Sequence, residues 1–401
     1  MRTLWNLAFL VAVLCARAGA EGADFPSRLL SSEIAGQAAD REMVYGPRQA
    51  LMLTAPEGAK QRPSVDPISR IPFDGACHVY LYDAGAYTRQ FIVHVENRQH
   101  LPLARRAGRF LSLLWGMADR RFGRLRARLR EGVVEVWLVR SGEPGGELEQ
   151  NNLYVYNVLT DRKGIEWARE LAHEYGHYLL PGASGYLEPE NWSNGVLGER
   201  LFLRWLRDEV KSEWIDASEV PFVKIDDLRD YCAKQVTPLI EQVRTGGVDE
   251  TIIKRTNRRA MDAFTGLMLY ADATYGGDSI VRMLDFLPRP HTGRVGGTEF
   301  LSAFVRWTGS QATFTVRVVP NRPTMVYLHS GSYRITQVAA NSGGVRPVGK
   351  PPEPRTWTAR IDSTGWQAVK FPGDLPLKWE LQRSSMKQSA GPISAATLSP
   401  Q

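Results

Sequence analysis

The sequence predicts an α+β protein in which a mixed domain, a small sheet with helices, is followed by an all-β, sandwich-like domain. Three observations predict it. Short period-2 runs cluster between residues 77 and 158, apolar residues then recur at helical spacing as far as about 308, and from Thr313 onward period-2 runs return between Gly- and Pro-rich turns. With 43% hydrophobic and 23% charged residues in 401, the chain can bury a large core, and its length leaves room for two or three domains.

Residues 1–20 read as a signal peptide. Arg2 gives the positive start, Leu7 to Cys15 the apolar run, and Ala18-Gly19-Ala20 the small-residue cleavage site. The run is too short to span a bilayer, and no later stretch is long and apolar enough, so the expectation is a secreted or periplasmic chain without a transmembrane segment. Of 50 Lys and Arg and 43 Asp and Glu, the segment takes only Arg2 and Arg17, which leaves a modest positive excess. It also takes Cys15. Cys77 and Cys232 remain, and in an oxidising compartment they are able to pair.

Residues 21–75, rich in Pro, Gly and Ser, read as an extended leader or propeptide, and 76–310 as the mixed domain. CHVYLY and RQFIVHVE around DAGAY predict a hairpin over 77–96. A helix follows over 102–130, with Phe110, Leu113, Leu114, Met117, Phe122, Leu125 and Leu129 as its apolar stripe. VVEVWLV predicts a strand, SGEPGGELEQ a loop, and NNLYVYNV a second strand. Asp161 is placed to cap the helix IEWARELAHEYGHYLL, which Pro181-Gly182 stops. Helices are expected over 195–209, 225–245, 251–271, 279–286 and 298–308. FTVRVV, TMVYLH, TWTARI, WQAVKF and KWELQ then build the sandwich-like domain, 311–384, and 385–401 is a disordered tail.

Chemistry concentrates in LAHEYGHYLL. On a helix, His173 and His177 project from one face and can reach one ion, while Glu174 lies beside them as an acid–base group. Zn2+ is the cofactor this HExxH arrangement points to. Gly176, costly in mid-helix, predicts a close approach by another element at that turn. Catalytic zinc wants three protein ligands and one open position, so a third ligand must come from elsewhere. Leu180, Pro181, Gly182 and Ala183 stand where a metzincin would continue toward its third histidine, and that branch fails.

HEYGH followed by NWSNGVLGERLF resembles the gluzincin-type zinc metallopeptidases, the thermolysin- and aminopeptidase-like branch of the zincins. The helix, strand, edge strand and active-site helix over 102–180, and the segment FTGLMLYADATYGGDSIVRML, are also similar. The resemblance implies a zincin-like catalytic domain with His173, His177 and a glutamate from a following helix as ligands. Glu199, which opens GERLFLRWL beside the small Gly198, is the expected third ligand. Glu188 and Glu190 are the alternatives, in a Pro-interrupted loop, LEPEN, that lacks a rigid platform. Where many relatives read Asn-Glu-Gly after a tryptophan, this chain has Ser193-Asn194-Gly195 after Trp192, without that glutamate. The implied activity is hydrolysis of peptide bonds in a peptide or protein substrate by a metal-activated water, with Glu174 as general base and then acid. Such enzymes lay substrate along an edge strand, here NNLYVYNV, and supply a Tyr or His to the oxyanion. Tyr270, Tyr275 and His291 lie in the right part of the chain, and none matches a motif.

Two other readings compete. The arginines of the 102–130 helix (Arg105, Arg106, Arg109, Arg120, Arg121, Arg124, Arg126, Arg128 and Arg130) offer a basic face to an anionic cell-surface polymer. Nucleic acid is disfavoured, because its modules' motifs are missing and the chain carries an export signal. A non-catalytic secreted adhesion or glycan-binding protein with a vestigial metal site is the alternative function, drawn from Trp357, Trp366 and Trp379 in the last domain.

Overall fold

The computed structural model of the chain describes residues 25–30, 40–46, 48–55, 63–83, 85–123, 132–143, 145–288, 295–319, 322–338, 356–370 and 377–384. The expected signal peptide and the tail after 384 lie outside them. The molecule is a mixed α/β protein with several sheets, consistent with the α+β expectation.

An eight-stranded sheet forms the frame. Its path runs β2 (Asp40–Val44), β3 (Ala50–Thr54), β6 (Gly75–Asp83), β7 (Ala86–Val95), β8 (Val134–Leu138), β10 (Asn152–Tyr156) and β9 (Gly145–Glu149), and β1 (Arg28–Leu29) pairs with β7. A separate ribbon pairs β4 (Ser64–Val65) with β5 (Pro72–Phe73). The expected hairpin is present as β6 and β7, joined antiparallel. β8 pairs parallel to β7 and to β10, so the chain must cross over, and α1 (Leu101–Phe122) makes the first crossing. The predicted stripe from Phe110 to Phe122 is buried, while Leu125 and Leu129 lie outside the described residues.

The structure refines two expectations along this sheet. Residues 40–54, expected to be extended, belong to the sheet: β3 pairs with β6 and all five of its residues are buried. A strand buried on both faces reads as a continuous apolar run, ALMLT, and loses the alternation that would have flagged it. GGELE is a strand where a loop was expected, and it is β9, leaving NNLYVY as an interior strand. Paired glycines weaken a strand and read as a turn.

α2 (Gly164–Leu179) follows β10. Its first backbone N–H groups are met at Lys163 and not at Asp161: Lys163 N donates to Glu166 Oε2 at 3.1 Å, and Glu166 N to Lys163 O at 3.0 Å. Further helices are α3 (Asn194–Lys211), α4 (Ile225–Tyr231), which runs through a wide turn at Cys232–Val236 into α5 (Thr237–Gly246), α6 (Glu250–Ile253), α7 (Arg258–Tyr275), α8 (Ser279–Leu284) and α9 (Gly297–Ser310). Cys77 on β6 and Cys232 beside α4 are both buried and free, so the pairing open to them is not made.

The last part is all-β. A four-stranded sheet has the order β11 (Thr313–Val318), β16 (Leu377–Arg383), β13 (Gly331–Val338) and β14 (Thr356–Ile361), and β12 (Pro323–Leu328) pairs with β15 (Gly365–Lys370). Trp379 is wholly buried in its core, and Trp366 stacks on Phe304 of α9 at 5.6 Å between ring centres. These tryptophans pack; the Trp357 side chain is not described. Among the described residues no helix is long and apolar enough to cross a membrane.

Candidate metal centre

α2 lays Trp167, Ala168, Leu171, Ala172, Tyr175 and Leu179 into the core, which turns Glu166, Glu170, His173 and His177 to the other face. α3 crosses α2 at closest approach where Gly176 meets Gly198. A Cβ on Gly176 would stand 2.7 Å from the Gly198 Cα and 2.6 Å from the Asn194 carbonyl oxygen, so the expected close approach is present. This contact brings the first turn of α3 onto the imidazoles.

Three ligand atoms converge there. His173 Nε2 lies 3.2 Å from His177 Nε2, and Glu190 Oε2 lies 3.1 Å from the first and 3.3 Å from the second. His173, His177 and Glu190 are the group among the described residues able to hold a metal ion. A tetrahedral zinc with bonds of about 2.0–2.1 Å has its ligands about 3.3 Å apart, so the triangle fits that ion. Gly195 borders the triangle, and a Cβ there would overlap both Nε2 atoms. The absent side chain keeps the space open.

Glu199, the expected third ligand, stands outside this triangle. Its Oε2 lies 3.6 Å from His173 Nδ1, the nitrogen turned away from the triangle, and its Oε1 takes bonds at 2.7 Å from Arg169 Nε and the Tyr231 hydroxyl. Asn194 serves His177 in the same way: its Oδ1 lies 3.0 Å from His177 Nδ1, and its amide donates to the His177 carbonyl at 2.9 Å. Both rings thus have a partner at Nδ1, which leaves the Nε2 lone pairs for an ion. The physical reason for the exchange is the loop. LEPEN sits within a tied hairpin: Gly185 N donates to Asn191 O at 3.1 Å, Leu187 N to Thr256 O at 2.7 Å, and Ala183 N to Ser193 Oγ at 2.9 Å. That is the rigid platform Pro189 had argued against. Glu188, the other alternative, is not in the group.

Electrostatics match the geometry. Burial alone would lower His173, but hydrogen bonds to the Glu190 and Glu199 carboxylates reverse this and raise it to about 10. Glu190 is driven the other way, to about 2, because its bonds to His173 and His177 outweigh burial. Glu174 is 4% exposed, and its Oε2 has no hydrogen-bond partner among the described residues. Burial raises its carboxyl to about 7, against the pull of the two histidines. The side chain lies beneath β9, where a Cβ on Gly146 would come within 2.6 Å of Glu174 Oε1.

Two lobes of an open cleft flank the centre and share Gly146, His173 and Glu174. One, of about 560 Å³, adds Glu170, Arg169 and Glu199; the other, of about 470 Å³, adds His177, Glu190, Leu148 and Trp192. No family model matches the chain, and no curated protein matches it in sequence.

Tyr270 is buried and Tyr275 half-buried, and neither lines this cleft; Tyr270 lies edge-on to Trp366, and His291 lies outside the described residues. Of the arginines on α1, Arg105 pairs with Asp40, Arg109 with Glu42, Arg120 and Arg121 with Glu209, and Arg106 lies over the Phe222 ring. These five face partners within the chain; Arg124, Arg126, Arg128 and Arg130 are outside the described residues.

Proposed function

We propose that the chain is a zinc-dependent peptidase of the gluzincin type, acting outside the cytoplasm on a peptide or protein substrate. The observation that carries the reading is one triangle of donor atoms, 3.1–3.3 Å on each side, beside a buried carboxylate oxygen without a partner among the described residues, in an open cleft. His173, His177 and Glu190 would hold the ion, and Glu199 and Asn194 would hold the rings that bind it. Zinc bound there supplies Lewis acidity, polarising a carbonyl oxygen and making a nearby water easier to deprotonate.

Glu174 takes the proton of the attacking water and returns it to the leaving amine. Its position under Gly146 sets it against the strand along which substrate would lie. β9 ends the sheet, so its outer edge has backbone groups free to pair with an extended peptide, and Gly145 and Gly146 present no side chain to obstruct it.

Purified protein should carry one zinc per chain by elemental analysis. Glu174→Gln should keep that zinc and the fold while peptide hydrolysis falls by about a hundredfold or more, the scale of a lost acid–base group. Zinc below a tenth of an equivalent and unrestored by added metal would overturn the reading. So would full activity in the variant.

A further inference from the structure

Glu170 stands one turn before His173 in the larger lobe of the cleft. A Cβ on Gly146 would come within 2.6 Å of Glu170 Oε1 as well as of Glu174 Oε1, so both carboxylates reach the inner side of the open strand. Glu170 makes no hydrogen bond or ion pair among the described residues. The arginines nearby are already engaged: Arg169 Nε donates to Glu199 at 2.7 Å, and Arg162 donates to the Tyr156 carbonyl while lying over Trp167. Asp161 and Glu166 also line this lobe, so its charge is predominantly negative. The second lobe differs. Its walls away from the donor triangle include Leu148 and the half-exposed Trp192.

Arg162 and Arg169 favour the charged form of Glu170 from nearby but are bonded elsewhere, and a half-buried carboxylate left without a direct partner is costly. Here it faces a cleft that the proposed peptide backbone would cross, beside a buried, unpartnered Glu174 oxygen. We infer that Glu170 is a specificity residue that pairs with a basic side chain of the substrate, Lys or Arg, on the side of the scissile bond that occupies the larger lobe. The inference rests on the peptidase reading. Glu170 acts on binding, and the acid–base role stays with Glu174. The second lobe, with its apolar lining, takes the residues on the other side of the bond.

The test combines turnover and binding. A peptide library randomised around one central bond is digested with wild type, Glu170→Gln and Glu170→Lys, and cleavage positions are read by mass spectrometry. Wild type should enrich Arg and Lys at one position near the cut. In Glu170→Gln the ratio of arginine to norleucine there should fall about tenfold, the scale of one partly desolvated ion pair. In Glu170→Lys it should invert toward Asp and Glu. Fluorescence anisotropy with a labelled arginine peptide and its norleucine twin, on the Glu174→Gln protein, gives a readout without turnover. Tighter binding of the arginine peptide, lost on adding Glu170→Gln, supports the inference even where nothing is cut, and then only the hydrolytic reading fails. Cleavage and binding both indifferent to the basic side chain overturn the inference and leave the peptidase reading standing. Zinc content that drops, or a second cation lost from the protein, in Glu170→Gln would make the carboxylate a metal ligand and overturn it also.

Discussion

His173 and His177 each carry two ring nitrogens, and the centre uses all four. The Nε2 atoms face each other with Glu190, while the Nδ1 atoms face Glu199 and Asn194. This division predicts different losses for two glutamates. Glu190→Ala should abolish tight zinc binding, because two neutral imidazoles are left to hold the ion. Glu199→Ala should weaken it by about ten- to a hundredfold, the usual effect of removing a ligand's own support. Competition with a chromogenic chelator measures both, and equal retention of zinc in Glu190→Ala would sink the assignment. The pair also shows what was legible in the sequence. HExxH is local, since helical spacing alone places its histidines on one face. Glu190 depends on a hairpin tied by Thr256 and Ser193, residues remote from it or seemingly incidental, and nothing in LEPEN announces that rigidity. The linear signal that could have found it is the asparagine of Asn194, able to bond both an imidazole and two carbonyls.

At the scale of elements, the site depends on how closely α3 can lie on α2. Gly176 and Gly198 touch backbone to backbone, and a Cβ on Gly198 would stand 2.8 Å from the Ala172 carbonyl oxygen. Backbone cannot yield as a flexible side chain does. Gly198→Ala should therefore cost about 1–3 kcal/mol, as overpacking does, even though alanine is the better helix former. Its second effect should fall on the centre, where α3 carries Gly195, Asn194 and Glu199 away from the rings. Urea unfolding and zinc affinity should worsen together, whereas a surface replacement on α3 such as Lys211→Ala should change neither. The glycine contact was readable because a mid-helix glycine is costly and needs a reason. β9 and β3 were not: one carries paired glycines at a sheet edge, the other has no polar alternation because both its faces are covered.

For the whole molecule, the main sheet packs against helices on one face, while on the other Phe25 and Phe73, from ahead of β6, pack against its strands, and a buried titratable group lies there. His78 on β6 is 7% exposed, stacks on Phe25 at 4.0 Å, and leaves both ring nitrogens without a hydrogen-bond partner among the described residues. Burial, with smaller contributions from Arg89 and His94, lowers its pKa from 6.5 to about 3. The unfolded chain therefore binds this proton before the folded one does. Stability from the neutral ring is complete above pH 6.5, declines as pH falls, and is lost once the folded pKa near 3 is passed. Every tenfold difference in proton affinity between the folded and unfolded ring corresponds to about 1.4 kcal/mol at most. His78→Phe keeps an aromatic partner for Phe25 and removes the proton. Compared on metal-free protein, so that the centre's own titrations are shared, the unfolding midpoints should differ least above pH 6.5. The variant's advantage should then widen steadily toward pH 3. A constant difference across that range would mean that His78 is solvated or paired in the folded chain, and that the N-terminal residues do not seal this face of the sheet.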